Sequence, residues 1–202
     1  MTKVKICGLR RIEDAAWANA LLPDYIGFIF AKSKRQVTAK QAAETASRLD
    51  TRIKTVGVFV NATQSEIDDV LSTCPLDVLQ LHGEEAPAFC AQQSISVWKA
   101  FRIADKTDFD KTNAYHADAF LFDGYSAKAH GGVGERFNWQ WLDAYKGSTP
   151  MVIAGGIDEH NATEAIRIAK PFAVDISSAV ETDGFKDAAK VERFIRKVRE
   201  TK

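Results

Sequence analysis

The chain has 202 residues, of which 46% are hydrophobic and 27% are charged, a composition typical of a globular protein and not of a disordered or fibrous one. Its 27 basic and 27 acidic residues leave a formal net charge of +0, without the basic excess that nucleic-acid-binding proteins usually carry. No apolar run approaches the roughly 18 residues of a membrane span, and the N-terminus has no signal-peptide apolar region. We therefore expect neither a nucleic-acid partner nor a membrane segment.

The cysteines indicate a reducing compartment. Their odd number and wide spacing fit neither a disulfide framework nor a zinc site. They are Cys7, Cys74 and Cys90. The sequence thus predicts a reduced, cytoplasmic protein that binds no metal.

Short apolar runs of strand length recur along the whole chain. Several are almost continuously apolar, which is typical of parallel strands covered on both faces. The predicted strands are Val4–Cys7, Tyr25–Phe30, Lys54–Val60, Leu76–Leu81, Ser96–Phe101, Ala119–Phe122, Pro150–Ala154 and Phe172–Ile176.

Amphipathic stretches with helical spacing separate these runs. Thr63 followed by Glu66 is a capping-box pattern and marks one helix start. The predicted helices are Arg11–Leu22, Thr38–Leu49, Thr63–Ser72, Glu84–Gln93, Trp139–Tyr145, His160–Ala169 and Asp187–Arg199, and Lys106–His116 is the weakest pattern.

The regular alternation of strands and helices predicts the fold class. Strand starts lie roughly 20 to 31 residues apart, which leaves room for one crossover helix per strand. Eight such units in about 200 residues match the lower size limit of a (β/α)8 TIM barrel with parallel strands. An open doubly wound sheet, as in flavodoxin-like folds, is the alternative, but eight units exceed what a small open sheet uses. With no linker in evidence, we interpret residues 1–202 as a single α/β domain.

Residues capable of chemistry fall at the carboxyl ends of the predicted strands, where barrel enzymes carry their active sites. In a barrel all of them face one mouth. They are Cys7, Arg35, Gln80, His82, Asp123, Gly155, Gly156, Asp175, Ser177 and Ser178.

Two loops of small residues suggest a phosphate site. Gly155–Gly156 follows strand 7 and Ser177–Ser178 follows strand 8, the two loops that recurrently bind phosphate in barrels. Either pair alone is better explained as a turn or a helix cap. Together, at these two strands, they favour phosphate.

The other candidates each have a structural alternative. Cys7 is a reactive thiol or a small buried apolar residue. Asp123 is a general acid kept protonated by its apolar surroundings, or a turn-forming carboxylate. Arg35 grips a carboxylate or belongs to a solvated basic loop. His82 is a ligand-site residue or a satisfied histidine at the edge of the core, and Gly131–Gly134 is interpreted as a loop hinge.

The ordered set of motifs resembles the phosphoribosylanthranilate isomerase family of tryptophan biosynthesis, from the first strand to the last. The matching segments are Lys5–Leu9, Gly27–Arg35, Val56–Phe59, Leu79–Gly83, Leu121–Asp123, Gly131–Trp139, Ala154–Ile157 and Asp175–Glu181. The resemblance implies a (β/α)8 isomerase that performs an Amadori rearrangement of N-(5-phosphoribosyl)anthranilate to 1-(2-carboxyphenylamino)-1-deoxyribulose 5-phosphate. Ala179 stands where the family usually has glycine, and we expect it to narrow the approach to the phosphate.

The resemblance also implies roles for the candidate residues. Cys7 is the general base and Asp123 the general acid, while Arg35 binds the anthranilate carboxylate. Asp175 faces the sugar, Gln80 and His82 bind substrate, and the four loop residues at Gly155–Gly156 and Ser177–Ser178 bind the phosphate. The implied partner is a small phosphorylated substrate, with no cofactor or metal, in a monomer or homodimer.

Two other functions compete with this one. The phosphoribosyl isomerase of histidine biosynthesis performs the same rearrangement, but as a family it uses two aspartates and has two phosphate sites. A non-catalytic barrel that senses a sugar phosphate has no need for both Cys7 and Asp123.

Overall fold

The computed structural model describes residues 1–124 and 137–201, and in these ranges eight parallel strands close into a barrel. Each strand pairs with the next along the chain, and β8 pairs with β1. The strands are β1 Lys3–Cys7, β2 Tyr25–Ile29, β3 Lys54–Phe59, β4 Val78–Leu81, β5 Ser96–Ile103, β6 Ala119–Gly124, β7 Met151–Ile153 and β8 Ala173–Ile176. The predicted (β/α)8 barrel is thereby confirmed, and the open sheet was the wrong alternative. The extent of the domain over all of residues 1–202 stays a prediction.

Helices fill most of the connections between strands. The α-helices are α1 Asp14–Leu21, α2 Ala39–Ala46, α3 Gln64–Thr73, α4 Pro87–Ala91, α5 Ala162–Ala169 and α6 Ala188–Glu200. The weak pattern after β5 forms a 3-10 helix, Lys106–Ala114, and a second 3-10 helix, Trp139–Ala144, precedes β7. Thr63 and Glu66 form the capping box that the sequence predicts.

Helix limits differ from the sequence-based prediction by up to three residues, as where α1 begins at Asp14 instead of Arg11 and α2 ends at Ala46 instead of Leu49. Helix α4 begins at Pro87 instead of Glu84, because proline favours the first helical turn. The Glu85 carboxylate instead accepts hydrogen bonds from the backbone N–H groups of Gly83, in the preceding loop, and of Asn61, in the loop after β3. After β8 the chain forms a short antiparallel hairpin, β9 Glu181–Thr182 and β10 Phe185–Lys186. This hairpin was not predicted, because the segment contains no apolar run of strand length.

Alternate residues of each strand point into the barrel. The lower interior is apolar and aromatic, with Tyr25 packed edge-on against Trp98 at 4.8 Å between ring centroids. Two residues further along several strands, the same inner face becomes polar, as where Leu121 is followed by Asp123. The barrel therefore has a dry floor and a polar mouth.

Three aspartates tie neighbouring strands together at the amino-terminal end of the barrel. Each one directly precedes an even-numbered strand and accepts a hydrogen bond from a backbone N–H near the start of the strand before it. The bonds are Val4 N to Asp24 at 2.9 Å, Thr55 N to Asp77 at 2.8 Å, and Val97 N to Asp118 at 2.8 Å. We call these three aspartates the strand clasps. They act at the end opposite the site, where barrel residues contribute to stability.

Removing one clasp is expected to destabilise the fold without touching the site. Asp77→Ala leaves the buried Thr55 N–H without its acceptor and should lower the free energy of unfolding by about 1–2 kcal/mol. Urea unfolding measures this, with Asp69→Ala on the exposed face of α3 as the control.

Lys54 and Thr55 lower the pKa of Asp77. Its contribution is therefore complete above its unfolded pKa of about 3.9 and fades as the pH falls below it. If the difference in the free energy of unfolding between the wild type and Asp77→Ala grew as the pH fell, this account would be wrong.

Candidate active site

A cavity of about 580 Å³ opens at the carboxyl ends of the strands. Every residue that the sequence analysis selected lines it. They are Cys7, Arg35, Gln80, His82, Asp123, Gly155, Gly156, Asp175, Ser177 and Ser178. Residues far apart in sequence meet here because parallel strands all end at the same rim of the barrel.

Cys7 ends β1 on the inner face and is 6% exposed. Its strand partner on β2 is Gly27, and a Cβ at Gly27 would lie 2.8 Å from the Cys7 sulfur. The absent side chain therefore makes room for the thiol. Burial raises the pKa of the Cys7 thiol, and the neighbouring Lys5 ammonium works against that rise.

Lys5 is a functional candidate that the sequence analysis missed. It is fully buried, and its Nζ donates to Asp175 Oδ2 on β8 at 2.8 Å. The other carboxylate oxygen, Asp175 Oδ1, accepts no hydrogen bond from the described residues, and Asp175 lines the cavity. The available signal was position, since Lys5 precedes Cys7 by two residues and so shares its inward face.

Asp123 lies opposite a pair of side chains from β4 and the loop after it. The amide nitrogen of Gln80 contacts His82 Nδ1 at 2.9 Å, and His82 Nε2 lies 3.4 Å from Asp123 Oδ2. With the amide as donor, the ring proton resides on Nε2 and points toward the carboxyl group. Gln80 Oε1 has no hydrogen-bond partner among the described residues, although the residue is only 1% exposed.

Arg35 is held by a carboxylate of the hairpin that follows β8. Its Nε and Nη2 donate to the two oxygens of Glu181 at 2.6 and 2.8 Å, and Lys186 donates to the same carboxylate at 2.8 Å. These two cations lower the pKa of Glu181 to about 2. Two donors of the guanidinium are thus already engaged, and Nη1 is the nitrogen left without a hydrogen bond to a described residue. Glu181 ends the Asp175–Glu181 motif, but its contact with Arg35 was not predicted from the sequence.

The loop after β7 presents backbone N–H groups to the cavity. Gly155 and Gly156 both have positive φ, 75° and 66°, a conformation that favours glycine. Asn161 braces the loop, since its side-chain nitrogen donates to the carbonyl of Gly156 at 2.8 Å. The two glycine N–H groups donate to no other group in the described ranges, which suits an anion.

The loop after β8 completes this wall of the cavity. Ser177 Oγ donates to the carbonyl of Cys7 at 2.9 Å, and Ser178 begins a short 3-10 helix, Ser178–Val180. Ala179 lines the cavity and has an ordinary negative φ, so the backbone there does not require glycine. The predicted hinge at Gly131–Gly134 lies outside the described residues.

Fold and site together define a (β/α)8-barrel enzyme whose cavity is built for a small anionic ligand. Residues 4–197 match the family model described as N-(5'phosphoribosyl)anthranilate (PRA) isomerase. The chain is 50% identical over 200 residues to N-(5'-phosphoribosyl)anthranilate isomerase of Thermoanaerobacter sp. (strain X514), covering 98% of both chains.

Solved structures agree with this assignment. Phosphoribosyl anthranilate isomerase from Thermotoga maritima is 34% identical, with a TM-score of 0.89 over 98% of this chain and 99% of that one. A phosphoribosyl anthranilate isomerase in complex with reduced 1-(o-carboxyphenylamino)-1-deoxyribulose 5-phosphate is 33% identical, with a TM-score of 0.85 over the same shares.

The chain therefore belongs to the N-(5'-phosphoribosyl)anthranilate isomerase family of tryptophan biosynthesis, and it is an isomerase. The resemblance found in the sequence is confirmed, which sets aside both the histidine-pathway isomerase and the non-catalytic barrel. Within residues 1–124 and 137–201, none of the helices combines the length and apolar character that a membrane crossing requires.

The contact between Arg35 and Glu181 yields a stability prediction. Glu181→Gln removes the charge shared by two buried cations and should lower the free energy of unfolding by about 3 kcal/mol, measured in urea. Glu159→Gln breaks an exposed pair with Arg193 and should cost less than about 1 kcal/mol. Equal losses in the two variants would show that burial of the cations is unimportant.

Proposed function

We propose that this chain catalyses the Amadori rearrangement of N-(5-phosphoribosyl)anthranilate, with Asp123 as general acid and Cys7 as general base. The observation that carries the proposal is one cavity lined by both residues, with unpaired glycine N–H groups on one wall and a guanidinium on another. A thiol and a carboxyl group on separate strands can act on different atoms of one sugar. The complex of a relative with a reduced form of the product supports the same chemistry.

The first step opens the furanose ring. Asp123 gives its proton to the ring oxygen, the bond between that oxygen and C1′ breaks, and the nitrogen lone pair forms a C1′–nitrogen double bond. The ring oxygen leaves as a neutral hydroxyl group, and Asp123 becomes a carboxylate. Asp123 is 5% exposed, so few water molecules compete for the proton at this position.

The second step moves a proton away from carbon. The Cys7 thiolate takes the proton from C2′, and the electron pair of that bond forms a C1′–C2′ double bond while the nitrogen recovers its lone pair. The resulting enolamine tautomerises to the ketone when C1′ is protonated and the C2′ hydroxyl loses its proton. Substrate and product are isomers, so the sequence of steps needs no oxidant or reductant.

The remaining cavity residues bind and orient the substrate. The N–H groups at Gly155 and Gly156, with the loop at Ser177–Ser178, bind the phosphate, and Arg35 binds the anthranilate carboxylate through its free edge. Asp175 Oδ1 and Gln80 Oε1, which have no partner among the described residues, accept hydrogen bonds from the sugar hydroxyls, and the His82 ring N–H donates one. The cytoplasmic location and the monomeric or homodimeric state stay predictions.

Turnover is the direct test of this proposal. The wild type should consume N-(5-phosphoribosyl)anthranilate, monitored by loss of its anthranilate fluorescence. Cys7→Ser keeps the shape of the residue but is a far weaker base, and should lower kcat by about 10²–10⁴-fold with little change in KM. Cys74→Ser, at a buried cysteine away from the cavity, is the control. Near-normal turnover by folded Cys7→Ser would refute the assignment of the base.

Replacing the acid tests the other half of the mechanism. Asp123→Asn keeps the size of the residue and a hydrogen-bond donor but cannot transfer a proton. It should bind the reduced product normally and lose turnover by about 10²-fold or more. Both quantities are measured on one sample. Turnover within a few-fold of wild type, with binding intact, would mean that another group is the acid.

Arg35→Met tests the carboxylate site. Loss of a charged hydrogen bond should weaken binding of the reduced product by about 1.5–3 kcal/mol, measured by calorimetry. An analogue with an aniline in place of the anthranilate lacks the carboxylate, and its affinity should hardly change. A similar loss for both ligands would point instead to disturbance of the contact between Arg35 and Glu181.

A further inference from the structure

Lys5 has no role in the steps above, yet it lies beside two residues of the site, Cys7 and Asp175. Its side chain is fully buried, and it shares one face of β1 with Cys7. Its ammonium group donates to Asp175 at 2.8 Å. A Cβ at Gly27 would lie 2.8 Å from the Cys7 sulfur and 3.3 Å from Lys5 Cε, so both side chains share the space that this glycine leaves open.

A lysine in this position costs free energy unless it is charged and paired. Burial disfavours its ammonium form, but Asp175 and Cys7 favour it more strongly, and the pKa of Lys5 is raised. The ammonium group is therefore retained at neutral pH. The pairing with Asp175 holds this charge close to Cys7, because the Lys5 and Cys7 side chains lie side by side next to Gly27.

Charged groups from four elements face Cys7. Lys5 faces it from β1, Asp175 from β8, Lys186 from β10, and Arg35 from the loop after β2. Glu181 neutralises one of the two cations that it contacts. Lys5 and Lys186 favour the Cys7 thiolate, whereas Asp175 opposes it, and Asp123 acts on Asp175 from β6 in the same cavity.

We propose that Lys5 is a positioning residue that holds a positive charge against the Cys7 sulfur and stabilises the thiolate form that the general base requires. This inference rests on the proposed function, because it assigns Lys5 a part in the action of Cys7. Asp175 has a second task in this arrangement, since its Oδ2 keeps the ammonium in place while Oδ1 remains free for substrate.

Alkylation of Cys7 by iodoacetamide tests the proposal without any turnover. The rate follows the thiolate fraction, and mass analysis of the peptide that contains Cys7 separates it from Cys74 and Cys90. Lys5→Met should slow alkylation near neutral pH by about tenfold or more and shift the pH profile to higher pH. Lys3→Met, on the same strand with its ammonium over the Phe172 ring, should leave the profile unchanged.

A second pair of variants guards against misfolding, because Lys5→Met leaves the Asp175 carboxylate buried without its cation. Asp175→Asn and the double variant Lys5→Met/Asp175→Asn both lack that carboxylate and differ only at Lys5. The double variant should be alkylated about tenfold or more slowly near neutral pH than the single one.

Kinetics then separate a charge effect from a structural one. In Lys5→Met, kcat near neutral pH should fall by about tenfold with KM changed only a few-fold, and kcat should recover as the pH is raised. Unchanged alkylation profiles in both comparisons would overturn the inference about Lys5. Failure of the proposed function is a different result, namely normal turnover by Cys7→Ser.

Discussion

Closing eight parallel strands into a small barrel forces every second residue of each strand into one narrow interior. At the floor of this barrel the interior is filled by apolar and aromatic side chains such as Tyr25 and Trp98, which exclude water. One layer higher, the same alternation places Cys7, Asp123 and Asp175 on the inner face, where their side chains line the cavity at the mouth. The site depends on the sealed floor beneath it, because charged groups interact strongly only where water is scarce.

The polar mouth is organised by charge pairs that fix its cations before any ligand arrives. Lys5 is held by Asp175, and Arg35 and Lys186 are held by Glu181. A guanidinium anchored on two of its nitrogens loses little further freedom when its remaining edge meets a carboxylate. Glu181 touches no proposed reacting atom, yet it fixes the positions of Arg35 and Lys186 in the site.

The order of strands, the barrel and the positions of the site residues were predictable from the sequence, because strand-length apolar runs end in polar residues at regular intervals. The pairing of Lys5 with Asp175 and that of Arg35 with Glu181 were not predictable, since they join residues 170 and 146 positions apart. Such contacts follow from the register between β1 and β8 and from a hairpin without an apolar run, and neither is encoded locally. Glu85 precedes α4 and bonds to its own loop, which spacing alone does not reveal.

The strand clasps have a consequence for how the molecule assembles. Each joins residues only 20 to 22 positions apart, so a strand pair can settle its own register soon after collapse. In the fourth strand pair, β7 and β8, Phe172 occupies the position that a clasp aspartate has in the other three pairs. This pair lies next to the seam between β8 and β1, two strands that are separated by nearly the whole length of the chain. Contacts of such long range form late. Lys5 and Asp175 face each other across that seam, so the charge cluster around Cys7 comes into being only as the barrel closes.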